Sequence, residues 1–336
     1  MTVEPLLATR AQRAFIGTKA IAVLVMVALS FQKVDEFVDI RETRYKTVPC
    51  YLALFALAEL FELFMAFDAL RLRNIIQLFG ILIFHGALIV FAALQIHQTR
   101  TALVTDHQCD DSNCGTPLWK KIQPFLIVAP CVIGASWFFL LFWIKQLYGE
   151  FGWAIFHVVG ANPKMKTMYQ YYQIMICLLK FDFFFFSGVT MQLLIIVLQK
   201  SSVEFGITVA AIPVVLALLI LCGIAVQREI KSVMTISLVM MVAALSYLYK
   251  LVRFYSPSSR EQYLTTRATL TTFTVVAFIL LLGTFAVGLR CFSDFNRGLQ
   301  SSKVHSMPMR PSAPTYHSSE KANTSGVPLA PRISIE

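Results

Sequence analysis

The chain has 336 residues, of which 57% are hydrophobic and 14% are charged, and its formal net charge is +10. Because about a quarter of the residues in ordinary soluble domains are charged, this composition excludes that class. Apolar runs of roughly 18 or more residues recur along the chain, and each can cross the hydrocarbon core of a bilayer as a helix. The sequence therefore predicts an all-α fold, a polytopic transmembrane helical bundle.

Eight segments have the length and apolarity of membrane spans, or seven if the first is discounted because Lys19 interrupts it. Residues 1–13 are predicted to form a short cytosolic N-terminus, and residues 14–290 the transmembrane domain. Residues 148–171 are predicted to lie in the membrane interface as an amphipathic segment. The predicted spans are residues 14–33, 48–70, 74–97, 123–147, 172–199, 205–227, 231–252 and 268–290.

The second predicted span holds two glutamates near its middle, Glu59 and Glu62. Residues three apart project from one face of a helix, so the two carboxyl groups lie side by side. A carboxylate at this depth costs about 3 kcal/mol. Two adjacent carboxylates do not both ionise readily, and we expect at least one to carry a proton. Intramembrane ionisable residues are typical of transport or ligand sites, but buried ion pairs can also serve only to fix helix register.

Other polar residues are predicted at a similar depth. His85 lies at the centre of the third span, and Lys180 and Asp182 lie in the fifth. We predict a midplane polar cluster of Glu59, Glu62, His85, Lys180 and Asp182, in which Lys180 reaches toward Glu62. Lys180 and Asp182 are two residues apart and point to different faces of their helix, so they need not act together. An interhelical hydrogen bond would also explain His85, and snorkelling to the interface would also explain Lys180 and Asp182.

Cys109 and Cys114 share the polar loop between the third and fourth spans. We predict that they form a disulfide, which needs an oxidising compartment and places this loop in the lumen or outside. The N-terminus and the tail are then cytosolic, a point that the nearly even division of Lys and Arg between the two sides does not decide. Two free thiols, or a zinc site that includes His107, are the alternatives. The spacing matches no standard zinc pattern, so we predict no metal and no cofactor.

Residues 291–336 form a Ser/Pro-rich tail that cannot bury a core, and we predict that it is disordered and cytosolic, where it can bind partner proteins. Cys291, directly after the last span, is a candidate for palmitoylation. The basic residues are spread around the spans, where they meet anionic headgroups. The expected partner is therefore the lipid bilayer and not nucleic acid.

Two stretches, FDALRLRNIIQLFG and EFGWAIFHVVGANPKMKTMYQYYQIMICLLKFDFFFF, resemble a fungal family of uncharacterised Golgi-apparatus multipass membrane proteins. The likeness covers residues 30–290 and fades in the tail. The resemblance implies a Golgi or other endomembrane location and a multispan helical fold. It brings no activity, and no catalytic residue is carried over from it.

Three classes of function fit these observations, and none is an enzyme, since the chain has no H-E-x-x-H, G-x-S-x-G or Walker A motif. The first is a transporter-like or small-ligand-handling protein, proton-coupled through Glu59, Glu62 and His85, whose small-molecule or ionic substrate the sequence does not specify. The second is a non-catalytic trafficking or scaffold protein that recruits partners through its tail and residues 148–171. The third is a seven-helix receptor, which is favoured if the first span is discounted.

Overall fold

The protein is a bundle of α-helices throughout the part that the computed structural model describes, which is residues 9–20, 47–100, 116–159, 163–194, 203–248 and 267–298. The predicted all-α class is confirmed. The loop with Cys109 and Cys114 lies outside the described residues, as does the predicted tail from residue 299 onward. The first eight residues of the predicted disordered tail, 291–298, are described: the last helix continues to Ser293, and Phe295 packs into the core. The helices are α1 (residues 10–20), α2 (Thr47–Leu72), α3 (Ile75–Arg100), α4 (Thr116–Val159), α5 (Pro163–Gln192), α6 (Val203–Arg228), α7 (Lys231–Leu248) and α8 (Arg267–Ser293).

Five stretches of these helices are long and apolar enough to cross a membrane, which makes this an integral membrane protein with several spans. The apolar part of α7, Lys231–Ser246, is shorter. Only residues up to 20 of the predicted span 14–33 are described, and they are helical and packed into the bundle. The five stretches are Ile75–His97, Pro130–Gly152, Pro163–Gln192, Phe205–Arg228 and Thr269–Ser293.

Residues 148–171 do not form the separate interfacial segment that the sequence predicts. Helix α4 is 44 residues long and continues through this region to Val159, and α5 begins at Pro163. The helix continues because Phe151 is buried in the core and Glu150 accepts hydrogen bonds from the start of α1. Glycines in this region weaken a helix by only about 1 kcal/mol each and do not stop it. Proline is favoured at the first position of a helix, which explains where α5 begins.

A tight turn joins α2 to α3 and holds the two helices side by side. Arg73 adopts a left-handed conformation (φ 49°), and the N–H of Asn74 donates to the carbonyl of Ala69 at 3.0 Å. This pattern is a Schellman cap, which satisfies the last carbonyls of α2. The side chain of Asn74 then accepts a hydrogen bond from the N–H of Gln77 and caps the start of α3. The turn between α6 and α7 repeats the cap, with Glu229 in the left-handed conformation (φ 57°).

Two apolar clusters form the core, and α5 and α8 contribute to both. The first cluster joins α1 to α5 with the start of α8, whereas the second joins α5, α6, α7 and the end of α8. Phenylalanines dominate the first cluster where α2, α3 and α5 meet: Phe61 lies 5.5 Å from Phe84 and 5.6 Å from Phe181 between ring centroids. Helix α5 is therefore the wall that the two halves of the bundle share.

Close packing of α5 against α8 depends on a glycine. A Cβ atom at Gly188 would lie 2.8 Å from Cε1 of Phe273, whose ring is held by neighbouring phenylalanines. We expect Gly188→Ala to destabilise the protein by about 1–3 kcal/mol, the usual effect of overpacking, and to lower the midpoint of thermal unfolding in detergent micelles. Gly283→Ala is the matched control, because a Cβ atom there meets open space. Equal midpoints for the two variants would contradict the close α5–α8 contact.

Candidate functional site

Four helices bring polar side chains together inside the first half of the bundle. Lys19 comes from α1, Glu59 and Glu62 from α2, His85 from α3 and Ser136 from α4; we call these five residues the four-helix polar cluster. Lys19, Glu59, Glu62 and His85 are each 0% exposed. Burial shields these ionisable groups from bulk solvent, so the members of the cluster must compensate one another's charges.

The hydrogen bonds of His85 fix the proton on one ring nitrogen. Its Nε2 atom lies 3.0 Å from the carbonyl oxygen of Ile133 and 2.7 Å from Oγ of Ser136. The hydroxyl of Ser136 itself donates to the same carbonyl at 2.8 Å. A carbonyl oxygen only accepts, and the hydroxyl hydrogen is already used, so Nε2 is the donor to both.

The other ring nitrogen of His85 faces a donor and an acceptor at once. Nδ1 lies 2.8 Å from Oε2 of Glu62 and 2.9 Å from Nζ of Lys19, and Lys19 and Glu62 also form an ion pair with each other. An ammonium group only donates and a carboxylate only accepts. A neutral imidazole can therefore accept at Nδ1 from Lys19, and an imidazolium can donate from Nδ1 to Glu62. Both protonation states fit the same positions of the heavy atoms.

Glu59 is the unbalanced member of the cluster. Neither of its carboxyl oxygens has a hydrogen-bond partner among the described residues, although Lys19 is close enough to interact with its charge. The ammonium of Lys19 compensates one carboxylate. The second carboxylate is compensated only when His85 is an imidazolium or when one glutamate is protonated. Compensation of both carboxylates therefore requires one further proton in the cluster, on His85 or on one of the glutamates.

The structure brings together three of the five residues predicted to form a midplane cluster, Glu59, Glu62 and His85, and places Lys180 and Asp182 elsewhere. Lys180 does not reach Glu62: it forms an ion pair with Asp68 of α2, and both side chains are 18% exposed. Asp182 faces α8. The two residues leave α5 in different directions, as their spacing predicts.

A second set of polar contacts connects α2, α3 and α5 close to the α2–α3 turn. Gln77 accepts a hydrogen bond from Lys180 at 2.9 Å and donates to the carboxylate of Asp68 at 3.2 Å and to the carbonyl of Met65 at 2.9 Å. We call Asp68, Gln77 and Lys180 the interhelical clamp. Its charges are equal and opposite, and its polar atoms are paired.

Comparison with known proteins identifies the family. The chain is 30% identical over 274 residues to a UPF0658 Golgi apparatus membrane protein of Schizosaccharomyces pombe, and the match covers 76% of this chain and 78% of that protein. The chain belongs to the UPF0658 family. The protein is a multi-pass membrane protein of the Golgi apparatus, as the resemblance in two of its stretches implies. The chain matches no protein-family profile and no solved structure.

The predicted cluster of this UPF0658 protein leaves out four participants in these contacts: Lys19, Ser136, Asp68 and Gln77. Lys19 is a charged residue within an apolar run, the same signal that singles out Glu59, but it was interpreted as a weakness of the first span. Ser136 and Asp68 gave no distinct signal, because hydroxyls and end-of-helix carboxylates are common in membrane helices. Their roles depend on which faces of the helices meet.

Two predicted cysteine features have different outcomes in the UPF0658 protein. The predicted Cys109–Cys114 disulfide lies outside the described residues and stays a prediction. Cys291, the candidate for palmitoylation, is 5% exposed and packs in the second apolar cluster. Acylation of its sulfur therefore requires the end of α8 to move away from α5 and α7.

Removal of the buried ammonium tests the charge balance of the four-helix polar cluster. We expect Lys19→Met to destabilise the protein by about 3–5 kcal/mol, because two buried carboxyl groups lose their compensating charge. The double variant Lys19→Met with Glu62→Gln should recover part of this loss, since it removes one of the two carboxyl groups. Thermal unfolding in detergent micelles measures both effects.

Lys180→Met provides the comparison for Lys19→Met, because the ion pair that it breaks is partly exposed. We expect a smaller loss of stability. If Lys180→Met cost as much as Lys19→Met, or if Glu62→Gln recovered nothing, the charge balance described for the cluster would be wrong.

Proposed function

We propose that this UPF0658 protein is a proton-coupled, transporter-like carrier and not an enzyme, and that the four-helix polar cluster is its proton-binding site. One observation carries the proposal: Nδ1 of His85 lies within hydrogen-bond distance of both the Lys19 ammonium and the Glu62 carboxylate. Such a nitrogen can take up a proton from one side and give it to the other without a change of side-chain position.

The contrast between the two polar sets supports a functional role for the buried one. The interhelical clamp has one positive charge, one negative charge and paired polar atoms, which suffices to fix the register of α2, α3 and α5. The four-helix polar cluster carries an extra carboxylate, Glu59, with neither oxygen hydrogen-bonded among the described residues. An unpaired buried carboxylate lowers stability and adds nothing to register. Its presence is explained if it binds a proton or a substrate during a reaction cycle.

A change in proton number supplies the energy that coupling needs. Adding one proton to the cluster changes its net charge by one inside a low-dielectric bundle. The penalty for an uncompensated buried ion is on the order of several kcal/mol, and the relative energies of two helix arrangements can change by a comparable amount. A carrier uses such a difference to alternate between conformations that open to opposite sides of the membrane.

A water path to Glu59 is the direct requirement of this proposal. In a variant whose seven native cysteines are replaced, we expect Glu59→Cys to react with a membrane-impermeant thiol reagent in sealed vesicles. A carrier exposes its central site to one aqueous side at a time, so labelling should occur from both sides and should depend on the pH difference across the membrane.

Two neighbouring positions control for local unfolding and for reagent in the lipid. Leu60→Cys faces outward at the same depth, where Leu60 is 56% exposed, and Ala58→Cys is buried in the apolar core. Neither should react. If Glu59→Cys stays unlabelled from both sides in a folded protein, the site is dry, and the proposal fails in favour of a trafficking or scaffold role. Labelling of all three positions would report unfolding of α2 and would also remove the support.

A further inference from the structure

Asp182 is a second buried acid that the four-helix polar cluster does not include. It lies on α5 within the membrane-spanning stretch and is 7% exposed. None of the ion pairs among the described residues involves it. Lys180, two residues earlier on the same helix, is directed away from it into the interhelical clamp. A carboxylate in this position would be a buried charge without a compensating cation.

The two short contacts at Asp182 and Thr284 need one more hydrogen than the threonine hydroxyl supplies. Its Oδ2 atom lies 2.5 Å from Oγ1 of Thr284 on α8, and the same Oγ1 lies 3.0 Å from the carbonyl oxygen of Leu280. A threonine hydroxyl has one hydrogen. If Asp182 were ionised, its carboxylate and the carbonyl would compete for that hydrogen. If Asp182 carries a proton, its O–H donates to Thr284, and Thr284 donates to Leu280, so both short contacts are hydrogen bonds.

The other oxygen of Asp182 supports the same state. Oδ1 has no hydrogen-bond partner among the described residues. An ionised carboxylate with one bare buried oxygen is costly, whereas the carbonyl oxygen of a neutral carboxylic acid carries a smaller charge and tolerates an apolar environment better.

The helices around Asp182 offer no positive charge to it in the part of the chain that the structure describes. Helix α8 contributes Thr284, and α6 contributes the thiol of Cys222, which is close enough to interact with Asp182. On α2, Asp68 is already paired with Lys180. The immediate environment of Asp182 therefore consists of hydroxyl, thiol and apolar groups.

Aromatic packing separates this site from the four-helix polar cluster. Phe61, Phe84 and Phe181 contact one another, and each directly precedes one acidic or basic residue: Glu62, His85 and Asp182, respectively. Successive residues of a helix are turned by about 100°, so each polar side chain leaves the shared aromatic contact. Glu62 and His85 turn to the same side and hydrogen-bond with each other, whereas Asp182 turns to Thr284 of α8. The two sites have no hydrogen bond in common.

We propose that Asp182 and Thr284 form a second, independent proton-binding site, in which Asp182 is a neutral carboxylic acid at neutral pH. The bound proton completes the chain from Asp182 through Thr284 to Leu280. Loss of the proton makes the hydroxyl of Thr284 turn to the carboxylate and releases the carbonyl of Leu280. The contact between α5 and α8 thus differs between the two states.

Infrared spectroscopy of the full chain in lipid nanodiscs tests this site. Aspartate labelled with carbon-13 at its side-chain carboxyl separates the aspartic acid C=O band from that of glutamic acid. Ordinary aspartates, with pKa values of about 3.9, are ionised at neutral pH and give no such band. We expect one protonated aspartic acid band in the wild-type protein, absent in Asp182→Asn and unchanged in Glu59→Gln.

Thr284→Val keeps the side-chain shape but removes the hydroxyl, so the band should persist and move to higher wavenumber. Replacing sodium with choline should leave the wild-type band unchanged. Absence of the band in the wild-type protein, its persistence in Asp182→Asn, or an unmoved band in Thr284→Val would each overturn the proposal. A band that appears only without sodium would also overturn it and would identify a metal-cation site. None of these results depends on whether water reaches Glu59.

Discussion

The buried ion pair between Lys19 and Glu62 is the interaction on which the first half of the bundle depends. In a bilayer, apolar side chains are about as stable against lipid as against another helix, so apolar contacts alone do not determine which face of a helix turns inward. A charged side chain does determine it, because an ammonium or carboxylate facing lipid costs several kcal/mol, on the order seen for buried ions in proteins. The pair fixes α1 on α2, His85 extends the contact to α3, and Ser136 extends it to α4.

The four-helix polar cluster, which contains this ion pair, has fewer positive charges than carboxyl groups. One lysine serves two glutamates, and the imidazole between them is the only further group in the cluster that can supply a positive charge. A cluster with equal numbers of positive and negative charges would stabilise the fold better. The interhelical clamp is such a charge-balanced set of contacts. The excess carboxylate therefore distinguishes the four-helix polar cluster, for which we propose a change of proton number, from the charge-balanced interhelical clamp.

Helix positions were predictable from the sequence to the extent that apolar runs and charged ends mark them. The predicted spans 48–70 and 74–97 agree with α2 and α3 within a few residues, because Arg71, Arg73 and Asn74 interrupt the apolar run at the turn. The predicted end of the fourth span, residue 147, was wrong for α4. The charged residue and glycines near residue 150 are typical of a segment in the membrane interface, but Phe151 is buried in the core and the helix continues.

The rise of a helix predicts the relative heights of residues along it, and three residues predicted at a similar height, Glu59, Glu62 and His85, lie together in the structure. The height of a residue along its helix does not determine which neighbouring helix its side chain contacts. Lys180 and Asp182 were therefore assigned to the wrong contacts, and Lys19 was missed.

Helix α5 is held differently along its length. Near the α2–α3 turn, Lys180 binds Asp68 and Gln77 through directional contacts, and a small shift would break them. One turn further along, the contact with α2 and α3 is made by phenylalanine rings, whose attraction is weakly directional and survives changes of angle. On the opposite face, the contact with α8 includes a hydroxyl–carboxyl hydrogen bond between Thr284 and Asp182, and the number of protons on Asp182 decides which of the two donates. The position of α5 is thus fixed by directional polar contacts at the clamp and by close apolar packing beyond it, where one polar contact with α8 depends on that proton.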